Sequence, residues 1–78
     1  MIPPELLNNM AVLMLEQNRT SEAENILAEA FKNCEILLRE NTDDRVKAIS
    51  LTVRFNQAWC LEQNRQIAQA TEIYKAII

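Results

Sequence analysis

The same skeleton of residues appears twice in this chain, 47 positions apart. Asn9 and Ala11 are followed by Ala23, Leu27 and Ala30; Asn56 and Ala58 are followed by Ala70, Tyr74 and Ile77. In each copy two alanines stand 12 apart, with polar breaks between them at Asn18–Arg19–Thr20 and Asn64–Arg65–Gln66. Self-similarity at a fixed period of this order marks a stacked repeat, and the polar break divides each unit into a helix–turn–helix hairpin. The sequence therefore predicts an all-α fold of two antiparallel helical hairpins, over about 4–40 and about 43–78. Ile77–Ile78 closes the chain in mid-pattern without a helix stop, so an excerpt of a longer α-solenoid, truncated in hairpin two, is expected.

Composition agrees with this and narrows the function classes. No Gly occurs, and the two prolines are Pro3 and Pro4, so nothing beyond residue 4 forbids helix. Apolar residues make up 49% of the chain, too many for a disordered segment of this modest charge. Eight Lys and Arg face 11 Asp and Glu. Such an acidic balance suits neither a phosphate backbone nor an anionic membrane, so direct nucleic-acid or membrane binding by this segment is not expected. The longest apolar run, Met10 to Leu15, is far too short for a membrane span, and no charged start of a secretory signal is present. A soluble intracellular segment is expected.

Helical spacing sets the elements. Pro4 suits the first turn of helix one, where its missing donor would be unpaired anyway. Leu6, Leu7, Met10, Leu13 and Met14 then form its apolar stripe, and Asn18 stops it in the left-handed conformation that Gly would normally take. Ser21 with Glu24 predicts a capping box for helix two, whose stripe is Ile26, Leu27, Ala30, Phe31, Cys34, Leu37 and Leu38. Asn41–Thr42–Asp43–Asp44 is the inter-hairpin turn, with Asp43 capping helix three. Helix three carries Val46, Ile49, Val53, Ala58 and Leu61 and breaks near Asn64; helix four, from about Gln66, carries Ile67, Ala70, Ile73, Tyr74 and Ile77. Helix axes approach to roughly 8 Å only where facing side chains are small. Ala11 with Ala23, and Ala58 with Ala70, are the expected crossing points.

A second echo disagrees by one residue. Leu-Glu-Gln-Asn-Arg stands at 15–19 and again at 61–65, a spacing of 46. The alanine frame, which fixes packing, is preferred, because a turn slips by one residue more easily than a core does.

Little in the chain suggests chemistry. There is no His, the commonest general base and metal ligand. Cys34 and Cys60 lie 26 apart without metal-ligand spacing and read as core filler. Glu22 with Glu24, and Asp43 with Asp44, sit at helix starts, where acids favour the dipole. No Gly-rich phosphate loop exists. No enzyme, metal site or cofactor is expected.

These residues resemble the tetratricopeptide repeat (TPR) family. Its pattern has a small residue mid-way in the first helix, another early in the second, a large apolar residue four later, and then Ala. Asn9–Met10–Ala11, Ala23, Leu27 and Ala30 fit it, and Asn56–Gln57–Ala58, Ala70, Tyr74 and Ile77 nearly so. The usual period is about 34 residues; the surplus here falls roughly between Cys34 and Lys47. The usual turn Gly is replaced by Asn18 and Asn64. Ile2-Pro3-Pro4-Glu5-Leu6-Leu7-Asn8-Asn9 and Lys47-Ala48-Ile49-Ser50-Leu51-Thr52, with Phe55-Asn56-Gln57-Ala58, are similar to the TPR scaffold subunits of the PAF complex, which travels with RNA polymerase II during elongation. Kinesin light chain repeats share a Leu-Asn-Asn start but have a shorter period and a turn Gly, which leaves a cargo or chaperone-client adaptor as the alternative.

The resemblance implies a nuclear, non-catalytic protein–protein scaffold flanked by neighbouring TPR repeats. Its partners would be other complex subunits, holding a peptide or helix in the concave groove. In that family the first helix of each hairpin faces the groove, which implies Asn8, Val12, Leu15 and Glu16, then Phe55, Trp59, Glu62 and Gln63, as partner-binding positions. Trp59 either anchors a ligand or packs beneath another hairpin. No Lys stands among these positions, so a clamp for a peptide carboxylate is absent, and the groove should take apolar side chains or basic segments.

Overall fold

A computed structural model describes residues 1–40 and 43–77. Asn41 and Thr42 of the expected inter-hairpin turn, and the closing Ile78, lie outside the described residues. Among the described residues there are four α-helices and no strand: α1 Pro4–Glu16, α2 Thr20–Glu40, α3 Asp44–Gln63 and α4 Ile67–Ile77. Each helix packs on its neighbour in sequence, and α1 also touches α3. Asn33 Nδ2 of α2 donates to the Ile2 carbonyl just before α1 (3.0 Å), while Cys60 Sγ near the end of α3 donates to the Thr20 carbonyl at the start of α2 (3.3 Å). Neighbouring helices therefore run antiparallel, and α1 and α3 lie parallel on the same side of α2.

The main core sits where α1, α2 and α3 meet. Leu7, Ala11, Leu15, Ala23, Leu27, Ala30, Val53 and Cys60 form one buried cluster; Ala58, Leu61 and Ala70 form a smaller one between α3 and α4. All four alanines of the repeat are buried. Helix α3 has partners on two sides, with Val53 and Cys60 facing the first hairpin and Ala58 and Leu61 facing α4.

The hairpin turns settle the one-residue disagreement. Arg19 N–H donates to the Met14 carbonyl (2.8 Å) and Asn18 N–H to Leu15 (3.1 Å), with Asn18 at φ 62°. Gln66 N–H donates to Leu61 (2.8 Å) and Arg65 N–H to Glu62 (3.0 Å), with Arg65 at φ 61°. Both are Schellman motifs, in which the left-handed residue lets two late carbonyls find donors. Met14 matches Leu61 and Asn18 matches Arg65, so the turns keep the 47-residue frame of the alanines and ignore the pentapeptide. The expectation that Asn64 takes the left-handed position is corrected: Asn64 has φ −87° and Arg65 takes it. A residue with a Cβ is strained there. Arg65→Gly is accordingly expected to stabilise the chain by about 0.5–1 kcal/mol, whereas Asn18→Arg should destabilise it, as thermal denaturation will show.

Three further expectations are corrected. The Ser21–Glu24 capping box does not form, because α2 already begins at Thr20 and places Ser21 inside the helix. Arg19 instead pairs with Glu22, and Glu24 Oε2 accepts from Asn64 Nδ2 of the second turn (3.2 Å). Of the stripe expected for helix one, only Leu7 is buried and Met14 half-buried; Leu6, Met10 and Leu13 are exposed. The neighbours α2 and α3 cover the opposite line, Pro4, Leu7, Asn8, Ala11 and Leu15. Ile67 is also exposed, because it opens α4 where α3 has already ended. Asp43 does cap α3, its Oδ1 accepting from Arg45 N–H (2.9 Å).

Both cysteines are free and buried. Burial pushes the Cys34 thiol up, and burial followed by the negative charge of Glu24 pushes Cys60 up. The unfolded chain thus loses these protons first, so the thiols' share of stability is full below the ordinary thiol range and is lost as pH rises through and above it. Denaturation midpoints should fall across that interval, and Cys34→Ala/Cys60→Ala should flatten the fall.

Candidate protein-interaction surface

The eight positions expected to bind partners separate into interior and exterior. Asn8 is 6% exposed; its Oδ1 accepts from Asn56 Nδ2 (2.9 Å), tying α1 to α3. Leu15 is buried in the main core. As open groove positions both are corrected: α3 packs on the flank of α1 that carries them, and Leu15 adds to apolar burial while Asn8 finds a matching amide. Among the described residues no buried side-chain N or O atom lacks a partner. Val12 is half-buried, and Glu16, Phe55, Trp59, Glu62 and Gln63 are exposed.

Of the exposed positions Glu16 ends α1, and the other four lie on α3. Phe55 is 43% and Trp59 39% exposed, with Leu51 also exposed one turn earlier. Intervals of four place all three on one helix face, and Glu62 continues it. The Phe55 ring meets Tyr74 of α4 with centroids 6.2 Å apart and planes tilted by 48°. Burial first, then hydrogen bonding to Glu62 and the charge of Glu62, push the Tyr74 phenol up. Large exposed aromatic groups on one face are the usual anchors of protein interfaces. Sequence reasoning missed Leu51, although its spacing from Phe55 was there to read, and it missed Tyr74 as a support of Phe55.

Two other surfaces were not foreseen. Leu6, Met10 and Leu13 form an exposed apolar edge on α1. A cavity of about 270 Å³ opens beside Leu38, Lys47, Leu51, Arg54 and Ile77. Its Arg54 is already engaged, with the guanidinium carbon 4.6 Å from the centroid of Phe31. Among the described residues no cluster of three or more His, Cys, Asp or Glu could hold a metal ion, and no helix is long and apolar enough to cross a membrane.

No family model matches the chain, and no solved structure matches it. One curated relative does: the RNA polymerase-associated protein CTR9 of Caenorhabditis elegans, 31% identical over 83 aligned positions. The alignment takes in 96% of this chain and 7% of that protein. Over nearly all its length, then, the chain is similar to a short stretch of an RNA polymerase-associated protein.

Proposed function

We propose that the chain is a segment of a TPR-type α-solenoid and acts as a non-catalytic protein–protein scaffold in the PAF complex during transcription elongation by RNA polymerase II. The observation that carries this reading is the similarity of 96% of the chain to a stretch of an RNA polymerase-associated protein. Physical support comes from the 47-residue frame, which holds at the hairpin turns, where the first helices end and the second begin, at their left-handed residues and at the core alanines. Helices that pack in order on their neighbours, with first helices side by side, suit a stacked array. The exposed edge of Leu6, Met10 and Leu13 would then lie under a neighbouring repeat. The exterior of α3, with Phe55 and Trp59, would face other subunits of the complex, and the setting would be nuclear.

Affinity purification of the intact parent protein tests this. Recovery of RNA polymerase II with its associated factors is expected. Recovery of motor subunits without polymerase-associated factors would instead make the chain part of a cargo adaptor.

A further inference from the structure

We propose that the exposed face of α3 around Phe55, Trp59 and Glu62, completed by Tyr74 of α4, docks a Lys- or Arg-rich segment of a protein partner. A cationic side chain of that segment lies over the aromatic rings and pairs with the Glu62 carboxylate. This rests on the protein-scaffold reading and adds to it the chemistry of the partner.

Phe55, Trp59 and Glu62 follow at intervals of four and three, so they share one side of α3. Tyr74 leans on Phe55 with ring centroids 6.2 Å apart. Two tilted rings, an indole one turn on and a carboxylate thus border one patch. The faces of such rings carry negative electrostatic potential and attract cations.

Charge distribution points the same way. No Lys or Arg occurs in residues 1–18, which include all of α1, nor in residues 55–64 of α3 and its cap; Arg54 and Arg65 flank the latter stretch, and Arg54 is already held over Phe31. Exposed carboxylates on these stretches include Glu5, Glu16 and Glu62. The chain as a whole carries −3. An acidic partner would set its charge against Glu62, and a purely apolar one would strip water from Glu62 without pairing it. A basic one satisfies both the carboxylate and the rings.

The molecule also offers an internal contrast. Phe31 is covered by the chain's own Arg54, at 4.6 Å from guanidinium carbon to ring centroid. Among the described residues the cation–π contact found is that one, and Phe55 and Trp59 remain open to solvent. What Arg54 does for Phe31 within the fold, a partner's side chain would do for this patch.

Trp59 is the sole Trp of the chain and reports directly on the site. The test titrates the chain with a hexa-arginine peptide, a hexa-glutamate peptide and an uncharged helical peptide of Leu and Gln, following Trp emission. The hexa-arginine peptide should give a saturable change that added salt weakens, and the hexa-glutamate peptide none. Glu62→Gln should weaken binding roughly twofold to fivefold, and Phe55→Ala roughly twofold to tenfold. Glu29→Gln, the same charge change at an exposed site on α2, should leave the affinity unchanged. Circular dichroism of each variant separates lost binding from lost folding. Absence of a response to hexa-arginine overturns the proposal, as does equal weakening by Glu62→Gln and Glu29→Gln. Tighter binding of the Leu and Gln peptide also overturns it, while leaving a protein-binding surface in place. The scaffold reading itself falls only by the purification described above.

Discussion

Truncation of Leu27 to Ala is expected to cost about 2–5 kcal/mol, the largest effect of any single substitution here. Leu27 is fully buried and belongs to the cluster that joins α1, α2 and α3. Removing its branched end leaves a space that three helices border, and none can close it without pulling away from the other two. A chain of 78 residues holds roughly 4–12 kcal/mol in all at 0.05–0.15 kcal/mol per residue. The loss is therefore a large share of the total. Urea denaturation should show a midpoint shifted well down, or a chain already partly unfolded without denaturant. A cost below about 1 kcal/mol would mean that the cluster is not a shared core.

The second large effect comes from adding volume. Ala11→Leu and Ala58→Leu are each expected to destabilise by roughly 1–3 kcal/mol through overpacking. Both alanines are fully buried, Ala11 in the three-helix cluster and Ala58 against α4. The cost at Ala11 should be the greater. There the enlarged side chain meets a core held from several sides, whereas among the described residues α4 packs on α3 alone and can shift outward. If both substitutions prove neutral in thermal denaturation, the alanines are not the close crossing points that the repeat requires.

How much of this was legible in the sequence depended on the element. The number of helices, their approximate ends, the Asp43 cap and the Asn18 stop could be read, because caps and breaks are local signals carried by single residue types. The buried side of α1 could not. Leu6, Leu7, Met10, Leu13, Met14 and Leu15 leave that helix apolar nearly all round, so periodicity cannot choose a face. Packing chose the line through Asn8 and Leu15, and two groove candidates went inside with it. Helix α3 was obscure for the opposite reason. It buries two separate lines, so its apolar residues blur into a weak pattern. The second turn misled because Asn is the better left-handed residue, yet the core alanines fixed the register and left Arg65 in that position. Tertiary packing outweighed local preference there. In the candidate surface, Phe55 and Trp59 could be named from the sequence, while the support of Phe55 by Tyr74 needed the packing of α4 on α3.

The central claim is that the outer face of α3 is a protein-binding surface on a helical scaffold. The most direct test purifies the protein with and without Phe55→Ser/Trp59→Ser. Phe55 also leans on Tyr74 of α4, so circular dichroism of both proteins separates lost binding from lost folding. The variant is predicted to lose RNA polymerase-associated factors that the unsubstituted protein retains. Equal recovery of those factors by both proteins, at equal helix content, would contradict the account.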